Sequence, residues 1–391
     1  MFKKLKISPA TTYTFFLQKL SLTLALILLS RPVLANGKSC LHYFSPAKQS
    51  QTTDSQPGKN SVITNSPLEV KLKHILQAHE NLKKYMPSTP LVHSESLSKE
   101  YGMQIYLKLE SQTEVGAFKL RGAINRMLYL SKSERAAGVI TASSGNHAQG
   151  VAYGANLLGV KAVVYMPEGA PAVKVENTRN LGAEVILHGK TFDEAKIEAQ
   201  RRSTEEGKAF IHPFEDAKVI AGQGTIGLEI LNELPNVDVV IGAIGGGGLM
   251  SGVSTALKSV NSNIMTIGVQ SENASAMVHA LNNERSSHEV PARKTLADGA
   301  AVYQASPKML ALLRGVLTET HKASEIQIKN AILKLHSLSH PTEGAGALPL
   351  AGLRQLINTS QVFKNGHEDT KVVLIVSGKN IDQDNLNSLM N

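Results

Sequence analysis

From residue 90 onwards, short apolar runs alternate with segments whose apolar positions recur at helical spacing. Strands are expected at 105–109, 138–141, 161–166, 184–187, 210–211, 237–243, 265–269 and 372–376. Helices are expected at 146–158, 171–181 and 192–206, and an earlier one at 67–82 carries Leu68, Leu72, Ile75 and Leu82 on one stripe. The runs at 237–243, 265–269 and 372–376 are apolar almost throughout, the pattern of strands buried on both faces of a parallel sheet. Alternation of this kind implies a doubly wound α/β architecture, whose ligands sit at the carboxyl ends of the strands.

At 391 residues and 42% hydrophobic composition, the chain is long enough for two to three domains and rich enough for a real core, which excludes a disordered protein. A single cysteine, Cys40, excludes a disulfide scaffold and a cysteine-based zinc cluster; it reads as an unpaired linker thiol. The net charge of +9 is concentrated at the start: Lys3, Lys4, Lys6, Lys19, Arg31, Lys38 and Lys48 face no acidic residue in the first 50 positions. The remainder is nearly neutral, so no nucleic-acid-binding face is expected. Residues 1–35 read as a secretory signal, with a basic start, an apolar stretch at 20–29 and small residues before a cleavage point after Ala35. Export to the periplasm or outside is expected, with an uncleaved N-terminal anchor as the alternative; the apolar stretch is shorter than the roughly 20 residues of an ordinary span. Residues 36–65 are polar and read as a flexible linker, with folded structure beginning near Ser66.

Four segments carry candidate chemistry. In the first, a buried strand runs into Gly245, Gly246, Gly247, Gly248 and Leu249 and then into a helix. Consecutive glycines let backbone N–H groups converge on one oxyanion, and the helix dipole assists, so this is a phosphate cradle. The spacing is not a clean dinucleotide fingerprint, and Gln270 ends the next strand where a ribose-binding carboxylate would be wanted. The second segment, Ala117-Phe118-Lys119-Leu120-Arg121-Gly122-Ala123, places a lysine at a helix start. In a restricted setting such a lysine can supply a neutral amine; alone it is an ordinary solvated side chain. The third, Ser143-Ser144-Gly145-Asn146-His147, follows a strand with hydroxyls and open amides suited to a carboxylate, or equally to helix capping. The fourth is Ser377-Gly378-Lys379-Asn380, a hydroxyl at a strand's carboxyl end or a plain turn.

Together and in this order, AFKLRGA, SSGNH, GGGGL and SGKN resemble the pyridoxal-phosphate enzymes of fold type II, and most closely their threonine/serine dehydratase and serine racemase branch. The resemblance runs from about Ser66 to Ile381. It implies two open, mostly parallel sheets flanked by helices: a large cofactor domain from 66–137 and 217–391, and a small domain at 138–216. It implies pyridoxal 5'-phosphate as cofactor, Lys119 as the Schiff-base lysine and Phe118 against the pyridoxal ring. Asn146 would meet the phenolic oxygen, Gly245 to Leu249 the phosphate, and Ser377 the pyridine nitrogen. Ser143 to His147 would hold the substrate carboxylate, with Ser144 on the ring face opposite Lys119. The segments around Asp298 and Glu343 also fit, with Glu343 close to the cofactor. A neutral serine at the ring nitrogen makes a weaker electron sink than a carboxylate partner would, which suits loss of a β-hydroxyl soon after α-proton removal by Lys119.

The expected reaction is conversion of L-threonine or L-serine to a 2-oxo acid and ammonia. A serine or related amino-acid racemase is the alternative, followed by a cysteine-synthase-like replacement enzyme and a non-catalytic periplasmic amino-acid or cofactor binding protein. A homo-oligomer is expected. Departures from the family pattern are Ala117 in place of a common serine and Lys379 in place of a second glycine. Gln270 and Ala276 replace the carboxylates of the racemase-type metal site, so no such metal is expected; with only a short stretch after Ser377, a C-terminal regulatory domain is not expected either.

Overall fold

The apolar runs become strands in the computed structural model, which describes residues 68–283, 289–360, 363 and 368–390. The expected signal, linker and Cys40 lie outside the described residues. Those described carry β1 (Leu91–His93), β2 (Gln104–Leu109), β3 (Val139–Ala142), β4 (Ala162–Met166), β5 (Glu184–Leu187), β6 (Ala209–Phe210), β7 (Val239–Ala243), β8 (Met265–Ser271), β9 (Glu319–Ala323) and β10 (Lys371–Val376). They form two sheets, ordered β1-β2-β10-β7-β8-β9 and β5-β4-β3-β6. Only the β1–β2 pair is antiparallel. Residues Asn65–Asn391 make one compact unit.

Burial explains the unbroken apolar runs. In β10, Val372, Leu374 and Val376 pack with Ile105, Leu107, Ile241 and Ile267 on one face, beneath the helices Glu325–Ser337 and Gly344–Thr359. Val373 and Ile375 face the other way, with Val240, beneath the helices Ala217–Glu233 and Gly248–Val260. With no wet face there is no polar alternation. Each fully buried aliphatic side chain contributes roughly 2 kcal/mol. The smaller sheet is covered likewise: Val139, Val164 and Met166 pack on one side with the helix Asn146–Leu157, and Ile140, Ala142 and Tyr165 on the other with Ala195 and Ala199 of the helix Phe192–Glu206.

Three differences from expectation have physical causes. The helix expected at 67–82 starts at Leu72, because Lys71 is extended and the preceding Val70 is drawn into the core. The edge strand β9, Glu-Thr-His-Lys-Ala, escaped notice because four of its five residues are not buried and show no apolar alternation. The three-residue β1 is likewise too short for a periodic signal. Among the described residues no helix is long and apolar enough to cross a membrane.

Candidate active site

The site is built around the end of β10. Ser377 follows the strand and is buried, and its carbonyl accepts from the Phe118 amide at 3.0 Å. Ala117 and Gly378 form an antiparallel bridge, and the Lys379 amide donates to the Gly116 carbonyl at 2.9 Å. These bonds zip the AFKLRGA segment onto the SGKN segment, so that the helix Lys119–Leu128 starts beside the end of the central strand. Two of the four segments are thus joined by backbone hydrogen bonds alone.

Lys119 is half-buried and its Nζ donates to the Pro213 carbonyl at 2.8 Å, 5.1 Å from the centre of the Phe118 ring. Desolvation lowers its pKa to about 8, against the opposing pull of Glu343. That makes the neutral amine accessible near physiological pH, as a nucleophile or base requires.

Pro213 brings in the glycine segment. The next residue, Phe214, lies so close to Gly246 that a β-carbon there would come within 2.4 Å of its ring, and Gly247 has a φ of 91°. Side chains are therefore excluded from this turn by contact and by backbone conformation. Among the described residues the amides from Gly245 to Met250 have no hydrogen-bond acceptor. A row of donors without such acceptors at the start of the helix Gly248–Val260 can receive an anion.

The SSGNH segment follows β3. The Gly145 amide donates to Ser143 Oγ at 3.2 Å, while Ser144 is half-buried and has no partner among the described residues. The amides of Ser144, Asn146, His147 and Ala148 also lack acceptors there, and they open the helix Asn146–Leu157. The Asn146 side chain is held at both ends: Oδ1 accepts from Asn380 Nδ2 at 2.8 Å, and Nδ2 donates to Glu343 Oε1 at 2.6 Å. That relay leaves one Asn146 N–H free for a ligand. The His147 imidazole turns inward. Its Nε2 donates to the Ile211 carbonyl at 2.9 Å, and burial, helped by the Lys119 charge, lowers its pKa to about 3. At the helix start His147 therefore offers its backbone amide, not its ring.

Glu343 closes the ring of contacts. A β-carbon on Gly378 would come within 2.5 Å of Glu343 Oε1, so the carboxyl lies directly against the Ser377 loop. Burial first, then the nearby Asp298, raise its pKa to about 7. A cavity of about 260 Å³ opens here, bounded by Gly145, Asn146, Lys174, Asp298, Glu343 and Asn380. Lys174 Nζ and Asp298 Oδ2 pair across it at 3.3 Å. Gln270 stands apart: its Oε1 accepts from the Val278 amide at 3.1 Å.

All four segments thus converge, together with three groups that the sequence did not single out. Pro213 and Phe214 lie on the loop after β6, where no motif marks them. Asn380 belongs to the quoted SGKN segment, yet its role depends on Asn146, which is 234 residues away.

A family model described as "Pyridoxal-phosphate dependent enzyme" matches residues 83–378. The chain is 43% identical over 323 residues to the L-threonine ammonia-lyase of Thermotoga maritima, covering 82% of this chain and 78% of that one. Among solved structures, that of maize serine racemase superposes with a TM-score of 0.77 at 31% identity, covering 82% of this chain and 97% of that one. The processed form of threonine deaminase isoform 2 from Solanum lycopersicum gives a TM-score of 0.75 at 34% identity, covering 86% and 98%.

Proposed function

The chain belongs to the family of pyridoxal-phosphate-dependent enzymes, and from that premise we propose that it is an ammonia-lyase converting L-threonine or L-serine to a 2-oxo acid and ammonia. The observation that carries this reading is the meeting, at the end of β10, of a desolvated lysine, a glycine cradle with unpaired amides and a buried serine. The cofactor suits these residues: Lys119 would hold it covalently through Nζ, Gly245 to Leu249 would take its phosphate, and Ser377 would meet its ring nitrogen. Asn146, steered by Asn380 and Glu343, would present its free N–H to the phenolic oxygen.

When bound, pyridoxal phosphate supplies the electron sink that makes the substrate α-proton removable. This chain's residues do the rest. The amides of Ser144, Asn146, His147 and Ala148, which have no acceptor among the described residues, orient the substrate carboxylate at a helix start. Lys119, whose amine desolvation brings to about 8, would take the proton at Cα. Ser377 is a neutral hydroxyl and cannot hold a proton on the ring nitrogen as a carboxylate would. Beside this neutral partner the bound cofactor would supply a weaker electron sink, which suits loss of a β-hydroxyl soon after α-proton removal.

Racemisation is the second reading. It is favoured by Ser144, which is half-buried, lacks a partner among the described residues and can deliver a proton, and by the likeness to maize serine racemase. Incubating the protein with L-threonine and L-serine, and assaying ammonia, 2-oxo acid and D-amino acid, separates the readings. Oxo acid that vanishes in Lys119→Ala supports the lyase, and D-amino acid as the main product supports the racemase. A cofactor-loaded protein that turns over neither substrate points to another amino acid or to a binding role.

Export is part of the proposal. It is supported by the basic start, the apolar stretch at 20–29 and Ala35, and it is tested by the mass of the mature N-terminus. Assembly into a homo-oligomer, suggested by the family resemblance, is tested by light scattering.

A further inference from the structure

We propose that Arg121 is a positioning residue for Lys119: its guanidinium, clamped between Glu110 and Glu229, sets the roll and height of the helix Lys119–Leu128 and so aims Lys119 Nζ into the site. The inference rests on the reading of Lys119 as the cofactor-holding residue. Two positions apart on a helix, side chains diverge by about 200°, so Lys119 and Arg121 occupy opposite faces of the same first turn. That turn has no capping side chain at Phe118; besides Lys119 itself, it is tied to the body by the Gly122 amide, which donates to Gln223 Oε1 at 3.2 Å, and by the Arg121 side chain.

The tie is complete. Arg121 Nε donates to Glu110 Oε2 at 2.7 Å, and Nη1 to Glu229 Oε1 at 2.6 Å and Thr225 Oγ1 at 3.0 Å. Nη2 donates to Glu229 Oε2 at 2.8 Å, Glu110 Oε1 at 2.9 Å and Thr89 Oγ1 at 3.2 Å. Both carboxylates are gripped bidentately, which fixes direction as well as distance. Lys108 Nζ adds a 2.8 Å pair with Glu229 and a 2.6 Å bond to the Thr89 carbonyl. Each partner stands on an element that reaches the site. Glu110 follows β2, which pairs with β10 and hence leads to Ser377. Glu229 lies on the helix Ala217–Glu233, whose cap Asp216 is three residues beyond Pro213, the acceptor for Lys119. The clamp therefore holds together the elements that carry the lysine, its acceptor and the serine.

A cavity of about 120 Å³ lined by His79, Lys83, Met86 and Ser88 reaches Arg121, Thr225 and Glu229. It offers a small cation a way into the hole that Arg121→Ala would leave, and this makes chemical rescue the deciding experiment. The holoenzyme of Arg121→Ala is titrated with millimolar guanidinium, with urea as the neutral control of the same shape. The readouts are the pH profile of the visible absorbance of the lysine-bound cofactor, kcat and KM separately, and thermal unfolding. Glu343, His147 and His212, which also act on or feel the Lys119 charge, stay unchanged in every sample.

The expected result is a 10- to 100-fold fall in kcat, about the cost of misplacing a reacting group, with KM little altered and the absorbance profile displaced. Guanidinium restores both saturably and urea restores neither. A wild-type profile and kcat in Arg121→Ala would overturn the proposal. So would guanidinium that raises the unfolding temperature without restoring the profile, or rescue by urea to the same extent. Should Arg121→Ala fail to fold, Arg121→Lys and Thr225→Val each loosen the fork. Both are expected to displace the profile the same way but less, and unchanged profiles in both would equally overturn it. Lys119→Ala runs alongside: turnover without that lysine would sink the reading of Lys119 itself, whatever Arg121 does.

Discussion

The two faces of the helix Lys119–Leu128 bury ionisable groups to opposite ends. On the cleft face, desolvation outweighs partners, so Lys119 falls to about 8, Glu343 rises to about 7 and His147 falls to about 3. Every shift favours the uncharged form. On the back face, burial also opposes charge, but the carboxylates of Glu110 and Glu229 hold Arg121 well above its usual range, and Arg121 and Lys108 hold the Glu229 carboxyl down. A buried charge with a full set of partners is an anchor, whereas one with too few becomes a group whose proton can move. An enzyme of this kind needs both, a few ångströms apart, because a tuned lysine is useful only when it is held still.

Four outcomes would break or sharpen that contrast. The largest belongs to the tuned face: Lys119→Ala should cut turnover by at least about 10³-fold, since nucleophile and base are lost together, as followed by 2-oxo acid release and the cofactor's visible absorbance. Next, Glu229→Ala leaves Arg121 and Lys108 short of a carboxylate and should cost about 3–5 kcal/mol in denaturant unfolding. A loss below about 1 kcal/mol would mean that the back face is not an anchor.

The third outcome is a pH effect. A carboxyl raised from 4.5 to about 7 by folding binds its proton more tightly in the native state. Glu343 therefore adds no penalty below about 4.5 and a growing one as pH climbs through 7, roughly 3 kcal/mol in all. His147 runs the other way: its lowered pKa penalises the native state as pH falls from 6.5 towards 3. The difference in stability between wild type and Glu343→Gln isolates the first effect. It should change in the variant's favour between pH 5 and 7, and a flat difference would remove Glu343 from the tuned set. Smallest, Asp298→Asn breaks an exposed pair with Lys174 and should alter stability by less than about 1 kcal/mol in thermal unfolding.

Much of the frame was legible in the chain itself. Runs such as 372–376 and 237–243 are apolar without alternation because both sheet faces are covered, and that local signal suffices for an α/β reading. The glycine cradle also stood out by itself, whereas the lysine and the terminal serine gained meaning only from the resemblance of the four ordered segments to a known family. The edge strand β9 did not, since an edge has one side open and needs no apolar code.

Chain order and residue chemistry determined the fold class and the four segments, and the resemblance of those segments to a known family implied the cofactor. Only the tertiary structure decided that Pro213 receives Lys119, that Phe214 roofs the glycines, and that His147 spends its ring on the Ile211 carbonyl. Arg121 lay in plain view within a quoted motif, yet its meaning came from Glu110, 11 residues away, and Glu229, 108 residues away. Local sequence can state which group a residue carries. Whether that group ends up anchored or tuned depends on how many partners burial brings to it, and those come from distant parts of the chain.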